Sequence, residues 1–269
     1  MNKTWRNILT ITIDVVLAAA IIAYFYGADI LRESGRKNEK CTAIKVTLLD
    51  SALNKFVSKN EVVEIITDYD RKIIGRRIDS INLLNLETAL NKKSVVKGSQ
   101  VSITRDGVMD VRISQRRPVI RLEGPEGGFY IDETAYVFPL IEKYTSYVPV
   151  ISGNLPIRIS AEEQKVYGKD STEWIHDMVN LGKFLEANPF WNSQVEQIYF
   201  EENGDAVLSM RAGTQKIILG NLKELPEKFE KLYAFYQCVV PKFGWDKYHI
   251  INLKYKKQIV CTKGKRKMV

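Results

Sequence analysis

The stretch VSITRDGVMDVRI, Val101–Ile113, sets the fold of the first half of the chain. Val101 and Ile103 form one apolar arm, Val108, Val111 and Ile113 form another, and Asp106-Gly107 between them tolerates the positive φ that a tight reversal needs. The segment therefore reads as a β-hairpin. Upstream, Ile44, Val46 and Leu48 alternate with polar residues as a third strand. Between that strand and the hairpin, Ser58 with Glu61 three residues later is a capping box ahead of Val62, Val63, Ile65 and Ile66, which predicts a helix to about Tyr69. Asn85 followed by Leu86, Ala89 and Leu90 predicts a second short helix ending near Lys93. The order is strand, helix, helix, strand, strand. A small sheet with both helices on one face buries both apolar stripes, and the unit closes around Gln115.

Past Gln115 the pattern changes to short strands: Pro118–Leu122, Phe129–Asp132, Ala135–Pro139 and Val148–Ile151, with turns at Gly124-Pro125 and Gly127-Gly128. A helix is predicted over Glu173–Ala187, capped by Ser171 or Thr172 and stopped at Asn188-Pro189. Strands follow at Val195–Phe200, Ala206–Met210 and Lys216–Leu219, turning at Asn203-Gly204 and Ala212-Gly213. A last helix runs from Pro226 to about Cys238, with Phe229, Leu232, Tyr233 and Phe235 on its apolar side. The chain then reads as one terminal strand. Ile251, Leu253, Tyr255, Ile259 and Cys261 share one face, Asn252, Lys254, Lys256 and Gln258 the other, and Lys257 interrupts the apolar face as edge lysines do. The class is α+β, with a mixed and mostly antiparallel sheet in the second half.

At the other end, the only charged residues from Asn7 to Leu31 are Asp14 and Asp29, and Ile8–Tyr26 would span ~28 Å as a helix, about one hydrocarbon core. Trp5 on one side and Tyr24 and Tyr26 on the other suit the two headgroup layers. A membrane helix is expected over residues 8–28, between a short tail (1–7) and a charged juxtamembrane linker (29–42). A cleaved signal peptide fits less well, because Asp14 interrupts the apolar run and the chain stays apolar after Ala20. Asp14 would cost ~2.5–3.5 kcal/mol at a bilayer centre, so it either reaches headgroup water or contacts a partner helix. Lys3 and Arg6 precede the span, but Arg32, Arg36, Lys37 and Lys40 follow it, so the positive-inside count does not fix orientation. The bulk of the chain after Ala28 is what such an anchor displays.

Composition excludes several function classes. The net charge is +8, but Lys254, Lys256, Lys257, Lys263, Lys265, Arg266 and Lys267 lie in a final stretch without acids. Removing those seven leaves about +1 for the rest, so no broad cationic footprint for nucleic acid exists. The basic tail (262–269) reads first as a solvated terminus and second as a contact for acidic lipid or an acidic partner. Cys41, Cys238 and Cys261 lack metal or redox spacing; Cys238 and Cys261 could bridge the last helix to the last strand, though plain buried thiols are the simpler reading. Only His176 and His249 are available for imidazole chemistry, and His176 reads as a surface residue. No nucleophile elbow, Walker loop or dinucleotide fingerprint occurs. Glu201-Glu202 are adjacent and point to opposite faces if extended, which argues against a convergent carboxylate pair. No catalytic residue, metal or cofactor site is expected.

The run Gln115-Arg116-Arg117-Pro118-Val119 closing a strand-helix-helix-strand-strand unit behind an N-terminal anchor resembles the FtsQ/DivIB family of bacterial cell-division proteins. Tyr130-Ile131-Asp132-Glu133 with Val137-Phe138-Pro139, Val148-Pro149-Val150-Ile151-Ser152-Gly153, and Ile251-Asn252-Leu253-Lys254-Tyr255 continue the likeness, which covers the chain from Ile8 to Cys261. It departs from the family where Ala135 stands in place of a common turn glycine and Lys93-Ser94 in place of a frequent Asn-Pro. The resemblance implies a single-pass type II protein of the inner membrane at the septum. A POTRA domain (43–116) would lie near the bilayer and a β domain (117–261) beyond it. It also implies a non-enzymatic scaffold that binds the FtsB/FtsL pair, whose strand extends the terminal strand. Lys254, Tyr255, Lys256, Lys257, Gln258 and Ile259 are then the expected contacts, with Lys254 facing a partner carboxylate and Tyr255 packed at the junction. Strand addition has a physical basis of its own, because an edge strand presents unpaired N–H and C=O groups. An envelope enzyme is the alternative that a polar pocket with convergent acids would favour. A polypeptide-transport component would need a β-barrel, for which this chain has no segment.

Overall fold

The computed structural model describes residues 16–27, 39–50, 55–125, 127–160, 165–168 and 171–264. They form two compact units, one from Met1–Asp50 with Val57–Gln115, the other from Ser51–Phe56 with Arg116–Val269.

The first unit contains β1 (Ala43–Leu48), α1 (Lys59–Tyr69), α2 (Leu83–Asn91), β2 (Val96–Ile103) and β3 (Val108–Gln115). The sheet order is β1-β3-β2, with β1 parallel and β2 antiparallel to β3. β3 is central, which is why Met109, Val111 and Ile113 are fully buried. The α1 capping box is present as expected, with Ser58 Oγ accepting from the Glu61 amide and Glu61 Oε2 accepting from the Ser58 amide at 2.8 Å. α2 starts earlier than expected. Its cap is Asn82, whose Oδ1 accepts from the amide of Asn85, so the asparagine taken for the start lies inside the first turn. Val62, Ile66, Leu86 and Leu90 carry the two helix stripes into the core.

The second unit is built on a nine-stranded sheet of order β14-β13-β12-β11-β10-β7-β4-β5-β6. Its strands are β4 (Pro118–Gly124), β5 (Gly127–Asp132), β6 (Val137–Pro139), β7 (Val150–Gly153), β10 (Val195–Phe200), β11 (Ala206–Met210), β12 (Lys216–Gly220), β13 (Tyr248–Asn252) and β14 (Val260–Lys263). β8 (Arg158–Ser160) and β9 (Lys165–Tyr167) form a separate hairpin. Pairing is mostly antiparallel; the parallel pairs are β4 with β7, β7 with β10 and β12 with β13. Two of those pairs are joined through helices, as parallel neighbours require. α3 (Ser171–Ala187) and α4 (Pro189–Gln194) lie between β7 and β10, and α5 (Leu225–Cys238) and α6 (Val240–Phe243) between β12 and β13. Ile175, Met178, Leu181 and Leu185 of α3 and Phe229, Leu232 and Phe235 of α5 join Ile198, Leu208, Ile217 and Ile251 of the strands in one core.

The residues that carried the resemblance act as ties in this unit. Asp132 is fully buried, and its carboxylate accepts from Arg116 Nη1 at 2.7 Å, Thr134 Oγ1 at 2.6 Å and the amides of Thr134 and Tyr136. Arg116 also stacks on the Tyr136 ring, 3.5 Å from its centroid. Arg117 pairs with Glu186 of α3 at 2.8 Å. Ala135, in the turn enclosed by these bonds, sits at φ 67°, the left-handed region that glycine occupies without cost.

Several sequence expectations are corrected. The segment over 251–261 is not one strand but a hairpin, β13 and β14 joined by residues 253–259, with Lys257 at φ 57° in the reversal. Ile251 lies directly opposite Cys261, and directly opposed residues share a face. The alternation thus continues across the turn in phase and imitates an unbroken strand. Ala135 belongs to a turn and not to β6, and Ser171 and Thr172 lie within α3. Pro189 both ends α3 and occupies the first turn of α4, which the sequence reading did not anticipate. All three cysteines are free; Cys41 is buried, but Cys238 is exposed, against the expectation of buried thiols.

At the N-terminus residues 16–27 are helical, with Val16, Leu17, Ile21, Ile22 and Phe25 exposed. Among the described residues no helix is long and apolar enough to cross a membrane. Residues 1–15 and 28–38 lie outside the described residues, and with them Trp5, Asp14 and most of the juxtamembrane linker; residues 265–269 of the basic tail do so too.

Candidate functional site

A sheet of this width ends in two edges of different character. β6 is short and finishes at Pro139, which has no N–H to offer, so that edge is blunted. β14 carries no proline, and among the described residues no strand pairs with its outer side. The amide of Gly264 donates to Lys247 O at 3.2 Å, toward β13. Backbone groups alternate in direction along a strand, so the amides of Thr262 and Val260 also face β13, and those of Cys261 and Lys263 face outward. The outer side of β14 is an open row of donors and acceptors.

Side chains continue this edge onto the sheet face opposite the one that packs in the helix-covered core. Tyr199, Val207, Ile218, Asn252 and Val260 stand directly opposite one another across β10, β11, β12, β13 and β14. Tyr199 and Val260 remain about half exposed at the two ends of that row. A further strand beside β14 would extend it.

The β13–β14 loop holds the six residues singled out from the sequence, and the structure separates them. Lys254 Nζ pairs with Asp205 Oδ2 at 2.7 Å, and this bond holds the ammonium above its ordinary pKa. Lys256 pairs with Glu224 at 2.9 Å, which raises the lysine and holds the glutamate below the usual carboxylate range. Tyr255 is 47% exposed, and Gln258 is exposed. The Lys257 amide lies 3.5 Å from Glu227 Oε1, while its ammonium has no carboxylate partner among the described residues. Ile259 is half-buried against the core of the second unit. Lys254, expected to meet a partner carboxylate, is therefore already paired within the chain. The seventh predicted site residue, Asp14, lies outside the described residues.

Sequence reasoning missed the residues that hold this loop. Lys231 of α5 donates from Nζ to Leu253 O at 3.1 Å and Tyr255 O at 2.6 Å. Next to it, Lys228 is buried, donates to Asn221 O and Oδ1, and has its pKa pushed down by that burial. The spacing of Glu227 and Lys231 marked a polar helix face, but nothing in the sequence said which loop that face meets.

Chemistry finds less support. Among the described residues no three His, Cys, Asp or Glu side chains gather as a metal site, and His176 and His249 are both exposed. An apolar cavity of about 320 Å³ is walled by Leu122, Phe129, Leu155, Ile157 and Ile159. A second groove, about 350 Å³, does collect Asp177, Glu201 and Glu202, but Glu201 is tied to Lys216 and no histidine lines it.

The family model described as FtsQ/DivIB, C-terminal related matches residues 117–262, and a POTRA-like domain model matches residues 39–114. No curated protein matches the chain.

Proposed function

Since the chain belongs to the FtsQ/DivIB, C-terminal related family, we propose that it is a division scaffold that captures an extended segment of another protein along the outer edge of β14. The carrying observation is that edge: β14 ends the sheet, turns the Cys261 and Lys263 amides outward, and has Val260 exposed on the strand and Tyr255 exposed on the loop that leads into it. Strand addition satisfies those backbone groups, and the adjoining side chains select the partner. FtsB/FtsL-type division proteins are the proposed partners, with Lys254, Tyr255, Lys256, Lys257, Gln258 and Ile259 forming the flank of the docking strand.

In this reading residues 8–28 anchor the chain in the inner membrane at the septum and both units stand outside the cytoplasm. The exposed apolar side chains of residues 16–27 support the anchor, and Asp14 is the proposed contact to a partner helix. The POTRA-like domain is proposed as a second docking module of the same scaffold. No step of this function requires bond chemistry.

The test is co-purification of the full chain, in detergent, with the FtsB/FtsL-type pair of the same organism. Lys263→Pro deletes one outward N–H while leaving the bonds to β13, whereas Lys263→Ala keeps it. Loss of the pair with proline and retention with alanine is the expected result. Equal retention by both variants refutes edge capture at β14.

A further inference from the structure

The β13–β14 loop runs from Leu253 to Ile259, longer than the two to five residues usual for a hairpin. It is not a self-supporting turn. From its own hairpin it takes the bond of the Lys254 amide to Asn252 Oδ1. Further ties reach it from outside: the Leu253 amide donates to Ile218 O of β12, Asp205 of the β10–β11 turn takes Lys254, Glu224 takes Lys256, Glu227 approaches the Lys257 amide, and Lys231 collects two carbonyls.

Lys231 differs from the rest in what it holds. Its side chain is 15% exposed; its ammonium lies 4.0 Å from Glu227 Oε1 and, unlike the other groups, binds two backbone carbonyls at once. By drawing Leu253 O and Tyr255 O toward α5, two carbonyls two residues apart, it fixes which way the backbone faces on leaving β13. The peptide groups of Leu253 and Tyr255 then turn inward. Lys254 and Lys256 are consumed by Asp205 and Glu224. The Tyr255 ring, the Lys257 ammonium and the Gln258 side chain stay exposed on the loop that leads into exposed Val260.

We infer that Lys231 is the positioning residue of the docking site: it pre-orders the loop so that Tyr255 and Lys257 face an incoming segment whose strand pairs with β14. This rests on the proposed docking at β14 and adds to it the kind of segment that fits. That segment pairs as a strand along Cys261 and Lys263, lays an apolar residue beside Val260 and Tyr255, and places a carboxylate within reach of Lys257. Ordering the loop in the free protein removes an entropic cost that binding would otherwise carry.

The experiment uses the full chain in detergent with four variants: Lys231→Met, Lys231→Arg, Lys257→Ala and Lys263→Pro. Trypsin cleavage within residues 254–257 reads loop order, and co-purification with the FtsB/FtsL-type pair reads docking. Losing a charge-assisted tie should raise cleavage in Lys231→Met about tenfold while the remaining strands stay protected. Capture should fall in the same variant, and Lys231→Arg, which keeps the donors, should recover part of both. Lys257→Ala, which removes one trypsin site, should weaken capture while cleavage after Lys254 and Lys256 stays as in the parent. If Lys231→Met leaves the loop as resistant as before, or loosens it while capture is undiminished, the positioning role is refuted. Lys263→Pro separates the two claims, since it abolishes capture with an ordered loop if docking at β14 holds, and leaves capture intact if docking itself is wrong.

Discussion

Replacing Gly182 with alanine sets two effects of known sign against each other. Gly182 lies in the middle of α3, where helix propensity alone favours alanine by about 1 kcal/mol. A Cβ at that position would stand 2.7 Å from Val119 O, 3.1 Å from Val119 C and 3.0 Å from Ile120 Cγ1. Two of these are backbone atoms of β4, which is paired to β5 on one side and β7 on the other, so the strand has little room to yield. Over-packing costs ~1–3 kcal/mol and against backbone atoms should fall at the upper end, so after the ~1 kcal/mol that propensity returns the net expectation is a loss of roughly 2 kcal/mol. Guanidinium unfolding followed by tryptophan fluorescence measures it, because Trp174, Trp191 and Trp245 all belong to the second unit. Gly124→Ala in β4 of the same unit is the control: its Cβ would meet nothing nearer than Gly127 O at 3.7 Å, an ordinary contact, so no comparable loss is expected. A Gly182→Ala protein as stable as the parent would refute the close approach of α3 to β4.

Other perturbations follow from the ties already described. Asp132→Ala leaves Arg116 without its carboxylate in a buried turn and should cost about 3–5 kcal/mol in the same unfolding assay; a loss under 1 kcal/mol would contradict the buried pair. Ala135→Gly should stabilise by roughly 0.5–1 kcal/mol, because relief of a left-handed alanine (~1–2 kcal/mol) exceeds the added entropy of glycine (~0.5–1 kcal/mol); a lower denaturation midpoint would show the φ to be wrong. Glu224 should titrate below the ordinary glutamate range, owing first to its hydrogen bond from Lys256, and move back up in Lys256→Met. The sign is that of a depressed acid. The contribution of the pair to loop order is complete above the unfolded carboxyl pKa and disappears as pH falls through the lower folded value, and carboxyl-resolved NMR titration of both proteins checks it.

How far the sequence led depended on whether the deciding interactions were local. The α1 capping box spans four residues and was legible residue by residue, as was the Asp106-Gly107 reversal, where Gly107 takes φ 78°. The β10 and β11 boundaries were equally legible, being short apolar-rich runs closed by Asn203-Gly204 and Ala212-Gly213. The β13–β14 reversal was not, because its loop carries no glycine or proline and an in-register hairpin keeps the strand period through the turn. The contacts of Lys254 and Lys256 were illegible for another reason: Asp205 is 49 residues from Lys254 and Glu224 32 from Lys256, and only the tertiary fold brings them to the loop. Alternation thus revealed which faces the residues occupy and concealed which neighbours they have.

Amide hydrogen exchange along β14, with and without the bound partner pair, tests the scaffold reading most directly. Edge capture predicts that Cys261 and Lys263 become protected on binding, while Val260 and Thr262, already bonded to β13, change little. Protection that leaves Cys261 and Lys263 exchanging as in the free chain, with the partner demonstrably bound, would contradict it.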